Sequence, residues 1–113
     1  MVYKAAQALA EALRNSEEYT QYVATRDAAL QKESTRALYQ EYRRLQMQVQ
    51  ADAIAERHDS ETLERLQRVG EFLQFDADAA PFLLAEYRLN SMLGKVYKLL
   101  AEAVEADLSM LEN

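Results

Sequence analysis

The residues of this 113-residue chain that could do chemistry are 19 carboxylates, seven tyrosines and one histidine. His58 stands between Arg57 and Asp59. A lone histidine with no cysteine and no spaced second histidine is not a zinc signature. The Glu-x-x-His ligand pair of di-iron bundles would need a glutamate at the position held by Ala55. His58 therefore reads as a helix-end residue, facing the carbonyls of the preceding helix or solvent. With no cysteine anywhere, disulfides, thiolate nucleophiles, iron–sulfur clusters and cysteine-bound zinc are all removed. Two isolated glycines cannot form a phosphate-cradling loop. Glu41, Glu56, Glu86 and Glu102 alternate with bases and read as surface ion pairs at helical spacing. Tyr3, Tyr19, Tyr22, Tyr39, Tyr42, Tyr87 and Tyr97 read as amphipathic packing, ring buried and hydroxyl wet. No catalytic residue, cofactor, metal or small-molecule substrate is expected.

The elements that carry these residues are helices. Gly occurs only at positions 70 and 94 and Pro only at 81, too few for the turns of a β-rich fold. Ala, Leu, Glu, Gln and Arg are abundant, and all favour helix. Half of the residues are apolar, enough for a core, and the length suits a single domain over residues 1–113. The net charge of −6 disfavours direct, sequence-independent binding of nucleic acid, and Arg43-Arg44 reads as solvated helix surface. No apolar run reaches the roughly 20 residues of a membrane span, and Met1-Val2-Tyr3-Lys4 does not open a secretory leader. The expected location is the cytoplasm, away from membranes.

Helical periodicity runs along nearly the whole chain. Val2, Ala6, Leu9 and Leu13 form a first seam, and Ser16 caps a second helix carrying Tyr19, Tyr22, Val23, Arg26 and Leu30. Ser34 or Thr35 is expected to cap a third helix with the seam Leu38, Tyr42, Leu45, Val49 and Ala53. Asp59 or Ser60 then starts a fourth, on which Leu63, Leu66, Val69 and Leu73 face the core and Phe72 and Phe75 thicken the apolar side. After Asp76-Ala77-Asp78 a last helix runs from Ala79 to Leu111, with Pro81 tolerated in its first turn. The expected fold is an all-α antiparallel bundle of about five helices.

The last helix carries two adjacent seams. One contains Leu89, Met92, Val96, Leu99 and Ala103; the other contains Leu93, Tyr97, Leu100, Val104, Leu108 and Leu111. Such a face is wider than one packing partner requires. A helix of that span would be ~50 Å long, against a diameter of roughly 35 Å for a compact domain of this size. It should overhang the bundle and self-associate, giving a homodimer through Leu89, Met92, Leu93, Val96, Tyr97, Leu100 and Val104. On the third helix, Tyr39, Arg43, Arg44, Met47 and Gln50 recur at steps of three or four beside the core seam. Their types are those enriched at protein interfaces, which marks a candidate surface for another protein.

Several strings, in their order and spacing, resemble the YlbF/YmcA family of small helical bacterial proteins, closest to its YheA-like branch. They are Ser16-Glu17-Glu18-Tyr19, Glu41-Tyr42-Arg43-Arg44-Leu45-Gln46-Met47-Gln48 and Glu86-Tyr87-Arg88-Leu89-Asn90. The resemblance spans essentially the whole chain and implies an oligomeric, non-catalytic bacterial protein. Better-studied branches look like adaptor subunits of a complex linked to competence, sporulation, biofilm formation and the specificity of an mRNA-cleaving endoribonuclease. Those branches carry cysteines associated with iron–sulfur clusters; this chain has none, so that property does not carry over. Two readings follow: a regulatory adaptor that binds protein, and an RNA-associated factor acting directly in RNA turnover. Acidic charge favours the first.

Overall fold

Every break in the helical pattern is a helix boundary in the structure, a computed structural model that describes residues 1–105. Its helices are α1 (Val2–Arg14), α2 (Glu17–Leu30), α3 (Glu33–Ile54), α4 (Ser60–Phe75) and α5 (Ala79–Ala103). Ser16 caps α2, its Oγ accepting from the Tyr19 N–H at 3.2 Å. Asp59 caps α4, accepting from the N–H groups of Glu61 and Thr62. Both are side chains short enough to reach back to orphan donors of the first turn.

Three local expectations change or narrow. The third helix starts at Glu33, with Lys32 preceding it, and Thr35 is not its cap. Thr35 lies fully buried on the inner side of α3, where its hydroxyl donates to Asp76 Oδ2 at 3.1 Å. Asp76 also accepts from the N–H groups of Asp78 at 2.8 Å and Ala79 at 3.0 Å, so it closes the α4–α5 turn and ties it to α3. Of the two surroundings open to His58, the α3 carbonyls or solvent, it takes the second and stands exposed in the linker. The stop is made at Glu56, which adopts the left-handed region (φ 57°). That conformation lets the Arg57 N–H reach the Asp52 carbonyl at 2.7 Å and the Glu56 N–H reach Ala53 at 3.1 Å, the double closure usually built on glycine. Lastly, α5 ends at Ala103, with Val104 after it and Glu105 left-handed (φ 52°). The expected continuation through Leu108 and Leu111 lies outside the described residues.

Packing follows the chain's antiparallel reversals. α3 and α4 form a hairpin with α5 laid against α4, while α2 lies along the first part of α5 and touches α3. α1 packs against α2 alone to any extent, and none of its residues is buried. One core cluster joins Leu45 of α3, Val69 and Leu73 of α4 and Ala79 of α5, with Leu38, Tyr42, Leu66 and Leu83 at its edge. Close approach of α3 and α4 uses Gly70, where a Cβ would sit 3.2 Å from Tyr42 Cε1. A second cluster centres on Phe82, which is buried between Tyr22 (5.7 Å between ring centroids) and Tyr39 (4.8 Å). Phe72 and Phe75 do not thicken the core: they are 61% and 88% exposed. At ~100° per residue Phe75 points almost opposite to Leu66, Val69 and Leu73. The molecule spans 49 × 37 × 16 Å.

Two stability predictions follow. Glu56→Gly should raise stability by about 1 kcal/mol in a urea melt, because glycine adopts the left-handed region without the side-chain penalty. The accepted N–H bonds from Ala79 and Asp78 hold the Asp76 carboxyl below its ordinary range. A depressed carboxylate stabilises the fold above its unfolded pKa, and that contribution is lost as pH falls through the folded value. Asp76→Ala should therefore melt lower than the parent at pH 7, with the gap closing as pH drops below about 4.

Candidate functional site

The stripe of Tyr39, Arg43, Arg44, Met47 and Gln50 lies on α3 as a helix must place it, but α5 divides it in two. Tyr39 and Arg43 turn toward α5 and are half-buried; Arg44, Met47 and Gln50 face solvent, Met47 at 69% exposure. Tyr39, Arg43, Arg44 and Met47 line one open recess together with Gln40, Gln48 and Ala51.

The inner half is a joint built on Glu86. The Tyr39 hydroxyl donates to Glu86 Oε2 at 2.5 Å, and Arg43 Nη2 ion-pairs with Glu86 Oε1. Arg43 Nε donates to the Tyr39 hydroxyl at 2.9 Å, and its Nη1 donates to Gln46 Oε1 at 2.9 Å. The guanidinium carbon also lies 5.3 Å from the Tyr39 ring centroid, close enough for cation–π attraction. Burial, then the bond to Glu86, pushes the Tyr39 phenol up to about 12, with Arg43 partly opposing. Glu86 is thus no surface ion-pair acid: its side chain is 12% exposed and bridges α5 to α3. Glu41 likewise reaches across helices, accepting from Arg65 Nε of α4 at 2.6 Å, as well as lying 3.9 Å from Arg44 on its own helix.

The expected self-association residues run along α5. Leu89, Met92, Leu93 and Val96 are half-buried, whereas Tyr97 and Leu100 are each 52% exposed and Val104 71%. Beside the middle of α5, Arg88, Ser91, Met92 and Lys95 share an open recess with Glu17, Glu18 and Gln21 of α2. Among the described residues no three His, Cys, Asp or Glu side chains gather as metal ligands would. None of the described helices is long and apolar enough to cross a membrane. What the arrangement can do is present apolar and mixed helix faces to another chain.

Sequence reasoning did not find the Glu86 joint, because its two sides are more than 40 positions apart and each reads as ordinary helix surface. The available signal was the Tyr39/Arg43 spacing of four, which stacks a phenol and a guanidinium on one side of α3. Glu86→Ala should cost about 2–3 kcal/mol in a denaturant melt, because it leaves a half-buried guanidinium unpaired. Tyr39→Phe should cost about 1 kcal/mol. In an ultraviolet titration at high pH, Tyr39→Phe should lack the last tyrosinate to form.

Residues 2–105 match the family model described as "Control of competence regulator ComK, YlbF/YmcA". A UPF0342 protein of Symbiobacterium thermophilum is 34% identical over 95% of this chain and 96% of its own length. One from Halothermothrix orenii is 27% identical, over 92% and 89% respectively. Among solved structures, a protein of unknown function (DUF964) from Bacillus stearothermophilus superposes with a TM-score of 0.79 at 16% identity, covering 92% of both chains. At that identity the likeness concerns the fold alone. The match across the chain and the full-length relatives agree with the strings at Ser16, Glu41 and Glu86, and the chain belongs to the YlbF/YmcA family.

Proposed function

We propose that this protein is a non-catalytic helical adaptor of the cytoplasm, a homodimer that presents the exposed half of the α3 stripe to a protein partner in a regulatory complex. The observation that carries the reading is the fate of the apolar face of α5. At ~100° per residue, Phe82, Leu89, Leu93, Val96, Leu100 and Val104 fall on one side of the helix. The bundle covers that side at Phe82 and leaves it open at Leu100 and Val104. The Cα radius of gyration is 17.0 Å, against ~13 Å for a compact chain of this length. A chain that leaves so much of its apolar stripe uncovered is suited to association. The family's link to control of a competence regulator supports a regulatory role.

On α3, Arg44, Met47 and Gln50 remain available after Tyr39 and Arg43 are committed to Glu86. A protein partner fits that mixed surface better than RNA does, given the net charge of −6.

Light scattering on a size-exclusion column at micromolar concentration should report about twice the chain mass, and a monomer would refute the dimer. Leu100→Glu should dissociate it while leaving the helical signal of each chain intact, because Leu100 is already half-exposed in the single chain. The partner surface is checked by Arg44→Glu combined with Met47→Glu. The double variant should melt within about 0.5 kcal/mol of the parent, as exposed positions do, yet lose proteins that co-purify with the parent from its own host. Retention of those proteins would move the partner surface elsewhere.

A further inference from the structure

α1 finds little cover within its own chain. Its 13 residues place Val2, Ala5, Ala6, Leu9 and Leu13 on one side and Lys4, Gln7, Glu11 and Arg14 on the other. An isolated helix of that length is marginal in water, and most helical stability in proteins comes from packing the apolar side. Here that side is only lightly packed: α1 touches α2, Leu9 and Leu13 are half-buried, no α1 residue is buried, and Val2 is 78% exposed.

The open part of α5 begins beside it. Glu17, Glu18 and Gln21 of α2 border Ser91, Met92 and Lys95 of α5, so the α1–α2 joint sits level with the point where α5 leaves the bundle. The joint is short, and Ser16 fixes it from both sides, its hydroxyl donating to the Leu13 carbonyl at 2.6 Å while accepting from Tyr19. Two apolar helix faces thus leave the body at one end, and Leu100 and Val104 stay 52% and 71% exposed.

We infer that in the dimer α1 of each chain packs on the distal α5 face of the other, around Val96, Leu100 and Val104. This rests on the dimer reading above and specifies its geometry. A two-fold axis makes the exchange reciprocal, so both open faces of both chains are covered by one closed interface. The area suffices. The chain exposes 8985 Å², whereas a compact monomer of its mass exposes ~6,300 Å². The surplus exceeds the ~800 Å² per partner that a standard interface buries. A lipid surface fits α1 poorly, because its polar side mixes Lys4 and Arg14 with Glu11 rather than presenting a basic cluster.

The natural chain has no cysteine, so introduced thiols report without background. Ala10→Cys lies beside the apolar side of α1 and Ala103→Cys lies on the α5 face in line with Val96, and both positions are small and exposed. Two full-length chains with different affinity tags, each carrying one of these substitutions, are co-expressed and treated with a short bis-maleimide. The expected result is a covalent dimer bearing both tags, linked between positions 10 and 103. A chain carrying both substitutions should likewise link between chains. An internal link in that doubly substituted chain would overturn the inference by placing α1 on its own α5. A dimer by light scattering with positions 10 and 103 unlinked would overturn it too, leaving the dimer reading intact and another protein or lipid as the cover of α1. A monomer by light scattering would refute both.

Discussion

The first half of α5 is the piece on which the bundle depends. Ala79, Phe82 and Ala85 are buried within two turns, and no other helix contributes as many buried apolar residues. The two alanines keep the backbone of α5 accessible on either side of one large ring. Phe82 then fills the space between Tyr22 of α2 and Tyr39 of α3, so three helices share one aromatic contact. A buried phenylalanine of this kind dominates the local energetics, and truncating such a ring typically costs about 3–5 kcal/mol. The rest of the core is thin, in keeping with an extent of only 16 Å in the shortest direction. Each of α2 to α5 buries a narrow strip, and much of the remaining apolar surface is half-buried or exposed.

Acidic residues take over part of the work that a deeper core would do. Asp76 ties the α4–α5 turn to Thr35, Glu86 joins α5 to α3, and Glu41 joins α3 to α4. Lys32 reaches Asp78 at 3.0 Å, adding a bridge from the start of α3 to the start of α5. These bonds are directional where apolar contact is not, and they fix how the helices are rotated about their axes. The same acids contribute to the surplus that keeps the surface negative. An acidic composition here reflects helix joinery as well as solvation.

The helices themselves were legible because their starts and stops rest on local chemistry. Ser16 and Asp59 act within their own turn, and the seam through Leu38, Tyr42 and Leu45 needs only the helical period. What stayed hidden was non-local. Thr35 reads as a cap until Asp76 is brought to it, and Glu86 reads as surface until Tyr39 arrives. Glu56 was hidden for a different reason: a glutamate in the left-handed region gives no compositional signal where glycine would. The candidate stripe on α3 was legible as a set of positions on one side of a helix. Its division between a joint and an exposed surface depended on where α5 lies.

The order of the helices along the chain also bears on how the molecule assembles and loosens. α3, α4 and the start of α5 are consecutive, and their contacts close only short stretches of chain. Packing α2 along α5 instead brings together segments separated by some 60 positions, with a correspondingly larger loop-closure entropy. The α3–α4 hairpin is therefore the natural nucleus, and the N-terminal pair joins it late. In the native state the same asymmetry becomes a gradient of opening free energy along the sequence. In the dissociated chain, amide exchange should be quickest in α1, intermediate in α2 and slowest around Leu45 and Leu73, and assembly at the open end of the bundle would slow α1 most.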